Sequence, residues 1–114
     1  MSDLAGLQRY RDQPMFSHWA PDVADDRIAA STQAVRHLID EVLAFGIEPA
    51  EKDVRNAIRK CVERFNELDR FDANSWIFTI EREDISEVIW RVVELSGFQL
   101  DEGPDDSWTE GRDW

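Results

Sequence analysis

The chain has 114 residues, enough to bury one hydrophobic core and too few for two. Hydrophobic residues make up 42% of it and charged residues 33%, the balance of an ordinary folded domain, which excludes wholesale disorder. A net charge of −12 disfavours nucleic acid and anionic lipid as partners and favours a basic one; residues 1–71 hold 13 acids against 10 bases and residues 72–114 hold 12 against 3, so the field belongs to the C-terminal part.

Asp3, Arg9, Arg11 and Asp12 fall within the first dozen residues with no apolar run among them, so neither a signal peptide nor a transmembrane segment is expected. A short helix is predicted from Asp3 to Arg11. Pro14 and Pro21 then bracket Phe16 and Trp19, which reads as an irregular apolar strap, so residues 1–21 lie over the bundle.

The first long helix is expected over 22–45. Asp22, Asp25 and Asp26 sit at its positive end, and Ile28, Val35, Leu38, Ile39, Val42 and Phe45 recur at helical spacing. Gly46 supplies the stop, and Pro49 opens the second helix, 49–69, where its missing N–H costs nothing. That helix turns Val54, Ala57, Ile58, Cys61, Val62, Phe65 and Leu68 inward, and the short connection makes the two helices antiparallel neighbours. Asp72 and Asn74 predict a turn over 71–74.

Trp76 to Ile80 is expected to run through buried space, either extended or as the first turn of the last helix, 80–96. Thr79 is the expected N-cap; Ile85, Val88, Ile89, Val92 and Leu95 form the inward stripe, and Gly97 is the stop. Residues 98–114 read as an acidic, tryptophan-bearing tail without strong regular structure. The fold class is therefore all-α: one domain, a bundle of three main helices with a short N-terminal helix and an irregular tail.

Catalytic and metal-binding patterns are weak. Cys61 is the only cysteine, which excludes an internal disulfide and a Cys-based zinc site and points to a reducing, cytoplasmic setting. It lies on the apolar face of its helix, where a thiol is inert. His37 and Glu41 share a face at i, i+4 but have no third ligand nearby, and His18 reads as a packed, hydrogen-bonded side chain. Glu81, Glu83, Asp84 and Glu87 could serve acid–base or divalent-cation chemistry, yet acids at a helix start are what the dipole favours in any protein. The composition is similar to that of acyl carrier proteins, but the Asp-Ser-Leu attachment site is missing, and Asp84-Ile85-Ser86 has the wrong order. No Gly-rich phosphate loop is present. No enzyme, metal or cofactor is implied.

The tryptophans carry the functional reading. Trp90 points roughly 140° away from Ile85 on the last helix, among Glu83, Ser86, Glu87 and Glu94, and must cover either the chain's own strap or tail or a partner. Trp108 and Trp114 pose the same choice, with Asp105 and Asp106 near Arg55 and Arg59 if the tail docks. The expected partner-binding set is Trp90, Glu83, Glu87, Glu94, Asp105, Asp106, Trp108, Glu110 and Trp114: aromatic anchors in an acidic rim suited to a basic protein.

Phe65-Asn66-Glu67-Leu68-Asp69, Phe78-Thr79-Ile80-Glu81-Arg82-Glu83-Asp84-Ile85 and Thr109-Glu110-Gly111-Arg112-Asp113-Trp114 together resemble a group of small, acidic bacterial proteins similar to the immunity proteins of polymorphic toxins. The resemblance covers the C-terminal half. It implies an all-α, cytoplasmic, bacterial protein and suggests a non-enzymatic inhibitor of a basic toxin; no catalytic residue comes with it. The alternative is a structural or regulatory adaptor acting as a homodimer through the Trp90 face.

Overall fold

The N-terminal residues are sewn into the body before the first helix begins. The Ser2 N–H donates to Ile47 O and the Asp3 N–H to Leu95 O, both at 2.7 Å, and the Ser2 hydroxyl reaches Ser96 O at 3.1 Å. In this computed structural model, which describes residues 1–70, 76–98, 106–109, 111 and 114, Asp3 then caps α1 (Leu4–Arg11) by accepting the Gly6 N–H at 2.8 Å. Leu7 enters the core. Arg11 grips Asp40 with two N–H groups, at 2.5 and 3.1 Å, and Arg36 donates to Arg11 O at 3.0 Å, which docks α1 on α2.

The strap is more ordered than its prolines suggest. Ser17–Trp19 forms a 3-10 turn, and Phe16 stacks on Trp19 with centroids 4.2 Å apart. Trp19 in turn meets Trp76 edge-on at 5.9 Å. Val23 is buried and donates its N–H to Trp19 O at 3.0 Å, so the backbone remains tied to the strap and α2 (Asp25–Ala44) begins three residues later than Asp22. Gly46, at φ +85°, ends it as expected. Ser31, Ala34, Val35, Leu38, Ile39 and Val42 are buried on its inner side, whereas Ile28 is half-buried and Phe45 exposed.

α3 (Glu51–Arg70) starts after Ala50, whose carbonyl takes the first N–H groups, from Asp53 and Val54. Val54, Ala57, Ile58, Cys61, Val62 and Phe65 form its buried stripe against α2, and Leu68 is half-buried. The predicted turn over 71–74 lies outside the described residues. What closes that connection is Asp69: its Oδ1 accepts the N–H groups of both Trp76 and Ile77 at 2.9 Å, while the Trp76 indole donates to Leu68 O at 2.9 Å.

α4 (Thr79–Leu95) turns Ile85, Ser86, Val88, Ile89, Val92 and Val93 inward and stops at Gly97, φ +94°. Phe78, not Thr79, occupies the N-cap position, and its carbonyl accepts the Arg82 N–H at 2.9 Å. The run Trp76 to Ile80 is not buried throughout. Trp76 and Ile77 are, but Phe78 is 66% and Ile80 67% exposed. The reason is rotational: once the inner face of α4 is fixed by Ile85 and Ile89, Ile80 lies roughly 140–180° away from both.

The tail docks. Asp106–Thr109 forms a 3-10 turn packed against α3 and α4, and Trp108 lies over the Arg55 guanidinium, 3.9 Å from ring centroid to Cζ, with Phe98 at 5.8 Å. Trp114 meets Phe65 edge-on at 6.0 Å, and the Asn66 amide donates to Gly111 O at 2.9 Å. Among the described residues the fold is thus four α-helices and two 3-10 turns with no strand, a small helical bundle. None of those helices is long and apolar enough to cross a membrane.

Candidate functional site

The outward side of α4 is the one place where the expected acidic surface assembles. Counting about 100° per residue, Ile80, Glu83, Glu87, Trp90, Arg91 and Glu94 fall within a sector of roughly 100°. Glu83, Glu87 and Glu94 are exposed, and Arg91 reaches Glu94 at 3.6 Å, leaving the other two acids to set the local charge. Phe78 and Ile80 stand at the helix head as an exposed apolar pair, so the face grades from apolar to acidic along its length.

Its borders are built from other elements. At the head, Asp84 accepts the Trp19 indole N–H at 2.8 Å and meets His18 Nε2 at 2.8 Å, which fastens the strap to the first turns of α4. Further along, Tyr10 of α1 lies close enough to feel Arg91 and Glu87. Burial pushes its hydroxyl pKa up, Arg91 pulls it down and Glu87 pushes it up again. Trp90 is half-buried, with its indole nitrogen shut off from water and unpartnered.

Two members of the expected set lie elsewhere. Trp108 and Trp114, 5% and 8% exposed, are core residues held by Arg55 and Phe65 and are not displayed as anchors. Burying a large aromatic stabilises by about 1.5–3 kcal/mol, which the tail gains by folding back. The backbone of Asp106 lies in the 3-10 turn, but its side chain lies outside the described residues, as do Asp105 and Glu110. Arg55, expected near those acids, is covered by the Trp108 ring.

The sequence candidates for chemistry make contacts of their own within the fold. His37 Nε2 meets Glu41 at 3.2 Å, and Lys60 reaches the same carboxylate at 3.3 Å. Cys61 is buried with its thiol against Ala34 O at 3.7 Å, and burial pushes its pKa up to about 12, which leaves almost no thiolate at neutral pH. Among the described residues no three His, Cys, Asp or Glu side chains converge as a metal site.

The chain matches no protein-family model, no curated protein and no solved structure. Its own geometry therefore carries the functional reading. The segments behind the family resemblance do visible structural work: Phe65 receives Trp114, Asn66 holds Gly111, and Leu68 and Asp69 hold Trp76 and Ile77.

Sequence reasoning missed two features. One is the exposed pair Phe78 and Ile80, which the helical count already applied to Trp90 would have found for Ile80. The other is Arg64, which sits only about 60° around α3 from Cys61, at the edge of the buried stripe, and lines a cavity between α2 and α3.

Proposed function

We propose that this protein is a non-enzymatic binding protein of the immunity or inhibitor kind, which neutralises a basic protein toxin by covering its active surface with the outer face of α4. The observation that supports this most is the exposed pair Phe78 and Ile80, at 66% and 67%, heading a helix face that carries Glu83 and Glu87. An apolar anchor bordered by carboxylates joins desolvation energy to electrostatic steering, the combination a tight interface with a basic protein uses. The net charge of −12 acts in the same direction, by speeding encounter with a cation-rich surface.

The test is affinity capture at low and high salt, followed by rebinding of the purified partner to variants. Phe78→Ser with Ile80→Ser is expected to weaken binding at every salt concentration, whereas Glu83→Gln with Glu87→Gln is expected chiefly to slow association and flatten its salt dependence. A partner that binds the apolar double variant as tightly as wild type overturns the assignment. The same exposed pair suits a second copy of the chain; sedimentation at twice 13.3 kDa, returned to monomer by the apolar double variant, would instead establish the homodimeric adaptor.

A further inference from the structure

A cavity of about 520 Å³ opens between α2 and α3, lined by none of the α4 residues discussed above. Ala30 and Ala34 from α2 and Leu68 from α3 give it apolar walls; Gln33, His37 and Asp40 face it from α2, and Arg64 and Glu67 from α3. Two of these titratable side chains are already engaged. Asp40 is held by two N–H groups of Arg11, and His37 meets Glu41, which Lys60 also reaches.

Arg64 and Glu67 are not engaged, and of the two only Arg64 is sheltered. Its side chain is half-buried and makes no hydrogen bond or ion pair with any described residue, and its Nη1 is shut off from water without an acceptor. In a chain with 25 acids and 13 Lys or Arg residues, a sheltered guanidinium with no carboxylate is not what composition alone would produce. A buried donor left unpaired is costly and calls for an explanation. Glu67 is exposed, so water screens its charge, and Arg64 dominates the inner wall. The positive field of Arg64 reaches the Cys61 thiol, whose pKa it lowers against the larger effect of burial.

We propose that this cavity binds a small organic carboxylate, with the anionic head on the Arg64 guanidinium and the apolar body against Ala30, Ala34 and Leu68. A planar guanidinium offers a carboxylate two parallel N–H donors, and the Gln33 amide supplies a further donor on the facing helix. The volume lies in the range of sites that enclose small ligands.

Thermal unfolding of the full chain tests this, using millimolar phenylacetate as probe and neutral phenylacetamide as its control. Phenylacetate should raise the Tm of wild type by several degrees and phenylacetamide should not; Arg64→Met should respond to neither, and Arg64→Lys, which keeps the charge without the fork, should respond less than wild type. Arg64→Met without ligand should melt no lower than wild type, because an uncompensated donor has been removed. Phenylacetate that shifts neither protein, or both equally, overturns the proposal. So does an Arg64→Met variant melting more than about 5 °C below wild type, which would make Arg64 a structural residue.

Discussion

Replacing Asp69 by alanine removes the acceptor that closes the connection between α3 and α4. One carboxylate oxygen, Oδ1, takes the N–H groups of Trp76 and Ile77, each at 2.9 Å, and all three residues are buried, so no water stands ready to replace it. A buried donor left unsatisfied costs about 1–3 kcal/mol, and two of them cost roughly 2–6 kcal/mol. That is a large share of the ~5–15 kcal/mol by which a domain of this size is stable. Asp69→Asn is the sharper probe. It keeps an oxygen where Oδ1 stands, gives up the charge and puts an NH2 donor where Oδ2 stood, and is expected to cost about 1 kcal/mol. Urea unfolding followed by far-UV circular dichroism, with unchanged slope for all three proteins, reads both values. Equal losses in the two variants would mean that charge and not acceptance matters; an alanine variant within about 0.5 kcal/mol of wild type would refute the reasoning altogether.

Gly97→Ala should be far more damaging than Gly46→Ala. Both glycines have positive φ, a strain of about 1 kcal/mol for alanine, but a Cβ on Gly97 would also lie 2.6 Å from Met1 N and displace the N-terminal stitching, whereas one on Gly46 meets open space; comparing the two Tm losses isolates that contact. Cys61 should resist iodoacetamide in the native protein at pH 8 and react fully in denaturant. Its folded pKa, about 12, stands above the ordinary 9.0, so above pH 9 the unfolded chain binds fewer protons than the folded one and stability falls as pH rises toward the folded value. Cys61→Ala should remove that contribution, leaving any smaller decline from Tyr10, whose pKa is raised in the same direction.

Periodicity made the helices readable, because α2, α3 and α4 each keep an uninterrupted apolar stripe and Gly46 and Gly97 end α2 and α4 with the backbone that glycine alone adopts easily. Their starts were less legible for a specific reason. Val23 donates to Trp19 O, four residues back in the strap, and Trp76 donates to the Asp69 side chain, seven residues back; both are bonds to specific groups outside the helix they precede, which helical periodicity does not encode. The tail is a second case: the sequence left docking on the bundle and binding a partner both open, and Trp108 and Trp114 find Arg55 and Phe65 more than 45 residues away in sequence. For the candidate site, Glu83, Glu87 and Glu94 could be placed by counting alone. Arg64 could not be recognised as unpartnered until α2 was laid beside it.

The docking of the tail also sets an order of events. A ribosome delivers α2 and α3 early, and they can close on each other as a hairpin while Phe65 and Asn66 still face water on one side. Trp114 and Gly111 emerge well after α2 and α3, so until they do Phe65 lacks its aromatic partner and Asn66 its carbonyl. An uncovered aromatic invites association, and the acidic surplus of residues 72–114 keeps copies apart once those residues have emerged and before they settle on the bundle.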